Sequence, residues 1–142
     1  MKTVAQLLTQ KPAEIVAIAP GVMVIDALKV LAEKEIGAVL VMDGPRLAGI
    51  FSERDYARKV ALKGKSSADT PVSEVMTRQV VAVTPAHTNE DCMALMTGKR
   101  VRHLPVVADD RVVGILSIGD LVKDLISEQQ FIINQLESYI HG

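Results

Sequence analysis

The chain is poor in several features that commonly define a function class. One cysteine, Cys92, stands among 142 residues, which rules out an intrachain disulfide framework and fits a reducing compartment. Aromatic residues make up 3% of the chain and tryptophan is missing, so aliphatic side chains must fill the core. Neither sign of charge prevails. Sixteen basic and 17 acidic side chains leave a net charge of −1, without the basic footprint of a nucleic-acid-binding protein. Purely apolar runs such as Ala38–Met42 fall far short of the ~20 residues a membrane helix needs. Lys2, Gln6, Gln10, Lys11 and Pro12 interrupt the start of the chain, so no secretory leader is read there and no membrane segment is expected. A soluble cytoplasmic protein is the expectation.

Catalytic signatures are missing too. The chain has no glycine-rich phosphate loop of the GxGxxG or GxxxxGK type, no Cys/His cluster at metal-ligand spacing and no Gly-x-Ser-x-Gly elbow. Neither enzyme chemistry nor a metal is expected. What the chain does have is 49% apolar residues, enough for one compact domain or two small packed ones.

It also has an internal repeat. Gly49-Ile50-Phe51-Ser52-Glu53-Arg54-Asp55 is answered by Gly114-Ile115-Leu116-Ser117-Ile118-Gly119-Asp120, 65 residues later. The same offset pairs Val16 with Val81, Pro20 with Pro85, Asp26 with Asp91, Lys34 with Lys99 and Val41 with Val106. Upstream of Val16 the register slips, and Val4, Leu7, Leu8 and Thr9 match Val72, Val75, Met76 and Thr77 at an offset of 68. The expected organisation is a first repeat over 1–64, a linker over 65–71 and a second repeat over 72–142.

Each repeat reads the same way. Val4–Thr9 is a short amphipathic turn with Leu7 and Leu8 on its buried face. Ile15–Ile18, bounded by Pro12 and Pro20-Gly21, reads as a strand. Met23–Lys34 carries Val24, Ala27, Leu28 and Leu31 at helical spacing, with Gly37 as the expected cap. Ala38–Met42 and Leu47–Phe51 form a hairpin, and Pro45 argues for a connection longer than two residues. Ser52 caps a helix running through Leu62, with Asp55 at its third position as in a capping box. In the second repeat, Val80–Val83 reads as a strand and Asn89–Met96 as a helix. Leu104–Val107 and Val112–Leu116 form a hairpin around Asp109-Asp110. A long last helix begins near Ser117. Its apolar positions, including Leu121, Leu125, Ile126, Ile132, Ile133, Leu136 and Ile140, exceed what a small core needs and predict a homodimer surface. Cys92 is expected in the core and His87 and His141 at the surface.

Gly49–Asp55, Gly114–Asp120 and Arg102-His103-Leu104-Pro105-Val106, set in duplicated β-α-β-β-α units, resemble the CBS domain, which is named after cystathionine β-synthase and occurs in tandem as a Bateman module. The resemblance covers roughly Val4 to Leu125. It implies an α/β fold of the α+β type, with two repeats related by a pseudo-two-fold axis and a long C-terminal helix. It also implies an adenosine ligand, AMP foremost, with ADP, ATP or NAD(H) as the others, held in clefts between the repeats. On this resemblance Asp55 and Asp120 accept from ribose hydroxyls, and Ser52 and Ser117 contact ribose or phosphate. Val16, Ile36 and Ala38 surround the adenine in one cleft, and Val81, Val101 and Ile115 in the other. Arg102, His103 and, in the first repeat, Arg54 reach phosphate.

The local chemistry agrees. A carboxylate accepts from two ribose hydroxyls at once, and a hydroxyl at a helix N-terminus sits where free N–H groups favour phosphate. As isolated motifs, both Ser-x-x-Asp stretches are helix caps, and only their duplication in matching repeats raises them above that. Arg102-His103 has a bland reading as solvated residues beside a strand. The function expected is a non-catalytic nucleotide sensor that regulates an unidentified protein by population shift. The alternative is a protein-interaction scaffold whose clefts are unused. A nucleic-acid-binding role is disfavoured by the charge and the missing aromatics.

Overall fold

The computed structural model describes residues 2–11 and 14–141, with the side chain of His141 excepted. By internal contacts the chain divides into two units. One comprises Glu14–Val80 with Ala108–Val113 and contains Asp55. The other comprises the described part of residues 1–13 with Val81–Val107 and the segment from Gly114 onward, and contains Asp120.

In the Asp55 unit, β1 (Ala17–Ile18) is followed by α2 (Val24–Lys34), β2 (Ala38–Asp43) and β3 (Arg46–Ser52). Helix α1 (Val4–Leu8) lies in the other unit. β1 pairs in parallel with β2, Ala17 opposite Leu40 and Ile18 opposite Val41. β2 pairs antiparallel with β3, from Ala38 opposite Ser52 to Asp43 opposite Arg46, with one irregularity between Val41 and Met42. Val24, Ala27 and Leu31 lie one helical face apart and are buried against Val39, Val41 and Phe51. Met23 makes no side-chain cap. The free N–H groups of α2 are satisfied by the linker instead: Val24 donates to the Thr70 carbonyl and Ile25 to that of Ser67, both at 2.9 Å.

Several expectations are corrected here. Gly37 does not cap α2. Glu35 does, in the left-handed conformation at φ 54, while the Gly37 carbonyl accepts the Glu53 N–H. The β2–β3 connection has two residues rather than more, because Gly44 takes φ 60 and Pro45 follows it, the arrangement of hairpin turns that begin with glycine. The helix after Ser52 is α-helical only over α3 (Glu53–Asp55), and Tyr56–Ala61 winds as a π-helix. The expected strand at Ile15–Ile18 shrinks to two residues, Ile15 being exposed.

The Asp120 unit contains α1 (Val4–Leu8), α4 (Asn89–Lys99), α5 (Ile118–His141) and most of the hairpin of β4 (His103–Ala108) and β5 (Arg111–Ser117), whose tip, Ala108–Val113, belongs to the Asp55 unit. Thr3 and Gln6 form a capping box on α1, and Thr88 and Asp91 form one on α4. Helix α4 runs to Lys99, one turn past the expected end, and stops at Arg100 with φ 55. Arg100 and Glu35 are matched repeat positions, so both helices end by the same device. The β4–β5 turn uses Asp109 and Asp110 at φ 52 and 61, as a tight hairpin requires at both central positions. The expected strand at Val80–Val83 is not formed. Only Val83 pairs, as a parallel bridge to Val106.

The core of this unit holds Val4, Leu7, Val83, Cys92, Met96, Leu104, Val106, Leu116 and Leu121. Cys92 is fully buried, as expected, and burial pushes its thiol up. Leu8 is half-buried rather than buried and packs over Gly114. His87 is half-buried, its Nδ1 accepting the Thr84 N–H at 2.9 Å. The surface expectation for the His141 side chain lies outside the described residues.

The leading segments cross over. Helix α1, which opens the first repeat, packs in the Asp120 unit. Its sequence counterpart Val72–Met76, which begins as a 3-10 turn over Val72–Glu74, packs in the Asp55 unit, where Val72, Val75 and Met76 are buried. Burying each of these side chains is worth roughly 1.5–3 kcal/mol, which ties each unit together between segments distant in sequence. Among the described residues no helix is long and apolar enough to cross a membrane.

Candidate functional site

Both Ser-x-x-Asp motifs end a hairpin strand and open a helix. In the Asp55 unit, the Ser52 Oγ accepts the Asp55 N–H at 3.2 Å, and Asp55 Oδ2 accepts from the Ser52 N–H at 2.9 Å and from Ser52 Oγ at 3.0 Å. Oδ1 accepts from Thr77 Oγ1 at 3.0 Å and faces the Lys59 ammonium at 3.1 Å, one helical turn on. A carboxylate has about four acceptor positions, and here four donors use them. Asp55 is buried, at 7% exposure.

The Asp120 unit repeats the plan with a different outcome. Ser117 Oγ accepts the Asp120 N–H at 3.2 Å, and Asp120 Oδ2 accepts the Ser117 N–H at 2.8 Å. The other contact to this carboxylate is Lys11, whose Nζ lies 2.7 Å from the same Oδ2 and donates to the Ile115 carbonyl at 2.6 Å. The bonds from the Ser117 N–H and from Lys11 both fall on Oδ2. The Asp120 side chain is 26% exposed. Burial pushes its carboxyl up, but the bonds from Lys11 and Ser117 outweigh that and hold it below the ordinary carboxylate value.

The basic residues approach this end of α5 through the backbone. The Ile118 N–H donates to the Arg102 carbonyl at 2.9 Å, as Glu53 does to Gly37 at 3.1 Å in the other unit. This places Arg102, exposed, and His103, the first residue of β4 rather than one ahead of it, next to Ser117 and Asp120. Burial pushes His103 below the usual histidine value. The positive charge of Lys11 adds to the depression, Asp120 opposes it and Arg102 reinforces it.

The expected apolar residues divide between the units in the same way. Val16 and Ile36 are half-buried against the core of the Asp55 unit, and Ala38 is buried at the start of β2. Val81 and Val101 pack half-buried on the other core, and Ile115 is half-buried on β5. Arg54 lies half-buried in the first turn after Ser52. A shallow groove in the Asp55 unit is lined by Leu28, Leu31, Ala32, Glu53 and Tyr56, none of them an expected site residue. Among the described residues no group of three or more His, Cys, Asp or Glu side chains is gathered for a metal.

Sequence reasoning missed Lys11, Lys59 and Thr77. Thr77 had a signal, since it matches Thr9 in the offset leading segments. Lys59 stands four residues after Asp55, at ion-pair spacing on a helix. Lys11 had none, because it reaches Asp120 across 109 positions. A second polar cluster was also missed. Buried Asp124 accepts from Asn89 Nδ2 at 2.8 Å and faces Lys2 Nζ at 2.9 Å.

Paired α-β-β-α repeats, each opening its last helix with Ser-x-x-Asp at the end of a hairpin strand, define a class of tandem-repeat modules. Comparison with known proteins makes that specific. The CBS-domain family model matches residues 4–62 and 72–127, and the chain belongs to the CBS-domain family. It is 39% identical over 124 residues to the CBS domain-containing protein CBSX3, mitochondrial, of Arabidopsis thaliana, covering 84% of this chain and 60% of that protein. The crystal structure of the CBS domain of NE2398 superposes with a TM-score of 0.85 at 54% identity, covering 88% of this chain and 98% of that one. The CBS-domain pair of MJ0100, solved in complex with 5-methylthioadenosine and S-adenosyl-L-methionine, gives 0.77 at 25% identity, covering 90% and 98%.

Proposed function

We propose that this chain is a non-catalytic regulatory module that binds an adenine nucleotide, AMP foremost, and passes its occupancy to a protein partner. The observation that carries the reading is the open carboxylate of Asp120 beside the cationic Lys11 and Arg102. Oδ1 and the exposed edge of the carboxylate suit two vicinal ribose hydroxyls, a directional charge-assisted contact. The N-terminus of α5 and the basic side chains suit the phosphate. Val81, Val101 and Ile115 supply apolar surface for the base. That the MJ0100 pair takes two adenosine compounds supports the same ligand class here.

The two motifs do not serve equally in this reading. Asp55 already has its acceptor positions filled by Ser52, Thr77 and Lys59, so ribose must displace a partner to reach it. The Asp120 unit therefore fills first, and Ser52, Arg54 and Asp55, with Val16, Ile36 and Ala38, bind more weakly. Binding shifts the population of two arrangements by the ligand's differential affinity for them.

A second reading is favoured by α5. Its side chains Ile126, Phe131, Ile132, Ile133, Leu136 and Ile140 are 48–73% exposed, more apolar surface than a solvated helix carries. In that reading the helix joins two copies of the chain and the module acts as a scaffold. Calorimetric titration of AMP, ADP, ATP and NAD(H) separates the two. Binding of one of them at micromolar concentration supports the sensor, and no heat with any of them at millimolar ligand leaves the scaffold.

A further inference from the structure

We infer that Lys11 determines the charge selectivity of the Asp120 site, making it select phosphorylated over uncharged adenosines. This rests on the proposed nucleotide-binding function and assigns a residue that lies outside both Ser-x-x-Asp motifs and outside the repeat that carries Asp120. Lys11 is held between two acceptors of the site, the Ile115 carbonyl at 2.6 Å and Asp120 Oδ2 at 2.7 Å. Its side chain is 28% exposed, so its charge is partly shielded from solvent yet reachable. An ammonium has three donors, and these two contacts leave one for a ligand.

The charge count gives the direction of the preference. Lys11 and Arg102 are cationic, Asp120 is anionic, and His103 is held toward its neutral form by burial and by Lys11. Before a ligand arrives, Asp120 neutralises Lys11. When ribose hydroxyls take up acceptor capacity of the carboxylate, the ammonium is left with weaker compensation in a half-buried place, where an uncompensated charge is costly. A phosphate on the same ligand restores the balance. An adenosine without one does not, so it leaves Lys11 sharing its compensating charge with the ribose hydroxyls on Oδ1 and gains nothing in return. Lys11 thus penalises neutral adenosines and favours anionic ones, from one position.

The test is calorimetric titration of AMP and adenosine into the full chain, wild type and the variants Lys11→Met and Lys11→Arg. Wild type is expected to prefer AMP. Lys11→Met is expected to lose AMP affinity by about tenfold or more, the scale of one charged hydrogen bond, while adenosine affinity stays unchanged or rises. Lys11→Arg, which keeps the charge, is expected to keep the preference for AMP. An equal loss for both ligands in Lys11→Met, or an unchanged AMP-to-adenosine ratio, overturns the inference and leaves the nucleotide reading standing. Binding of neither ligand by wild type overturns both.

Discussion

The two motif glycines are matched in sequence, but the structure predicts that replacing them has unequal consequences. A Cβ at Gly49 meets the Thr77 carbonyl oxygen at 2.7 Å and Met76 Sδ at 2.8 Å. The carbonyl is backbone, and it already accepts the Ile50 N–H at 3.0 Å while Thr77 N–H donates back to Ile50 at 2.8 Å. Gly49→Ala must push this bridge apart. Overpacking of this kind costs about 1–3 kcal/mol, and weakening two backbone bonds adds up to about 1 kcal/mol each. Reduced unfolded-state entropy returns about 0.4–1 kcal/mol. The middle of these ranges is a net loss of about 2 kcal/mol. A Cβ at Gly114 meets Leu8 Cδ2 at 2.7 Å and Cδ1 at 3.3 Å, the far end of a flexible side chain that is half-buried and able to turn away. Gly114→Ala should stay within about 1 kcal/mol of wild type. Urea unfolding at constant pH measures both, with equal m-values as the control. If Gly114→Ala costs as much as Gly49→Ala, the packing argument is wrong. The difference bears on function as well, because Thr77 is one of the donors that occupy Asp55.

Other consequences follow from the polar clusters and from α5. Asp124 is held below the ordinary carboxylate value, burial opposing and Lys2 and Asn89 prevailing. Its folded form then binds protons less readily than the unfolded one, so its contribution is present above about pH 4 and is lost as pH falls further. Asp124→Asn should therefore flatten the acid limb of a thermal-denaturation profile, and an unchanged limb would contradict the assignment. His103 is likewise held below its ordinary value, so protonation penalises the folded state as pH falls below about 6.5. His103→Gln should lose less melting temperature than wild type between pH 7 and 5.5, and equal losses would refute this. Ile133→Asp, on the exposed stripe of α5, should convert a dimer to a monomer in sedimentation at micromolar concentration, whereas a monomeric wild type would remove the dimer reading.

The repeat, both hairpins and the Ser52 and Ser117 helix starts were legible in the sequence because each depends on residues close together. Asp109-Asp110 marks a two-residue turn whatever surrounds it, and Ser52 with Asp55 closes a capping box within one turn. The strand expected at Val80–Val83 failed for a reason lodged in another segment. Val83 donates to the Pro105 carbonyl and accepts from Val107. The next rung toward Val81 needs an N–H from residue 105, and proline has none. In the first repeat the matched residue is Leu40, and there the ladder extends to the two pairs of β1 with β2. The π-winding after Asp55 and the left-handed ends at Glu35 and Arg100 had no composition cue, since neither glycine nor asparagine marks them. Two partners of the aspartates, Thr77 and Lys11, were hidden by distance. Thr77 and Lys11 come from leading segments that cross to the unit of the other repeat's motif, and periodicity within a repeat carries no trace of that exchange.

The central claim is that Asp120, and not Asp55, carries the primary nucleotide site. The direct test is calorimetric titration of AMP into wild type, Asp120→Asn and Asp55→Asn. The account predicts one AMP bound tightly per chain by wild type and a loss of about 10- to 150-fold in Asp120→Asn, the scale of a charged hydrogen bond. Asp55→Asn should keep the tight site while melting at a lower temperature. Tight binding that survives in Asp120→Asn but disappears in a folded Asp55→Asn would contradict it.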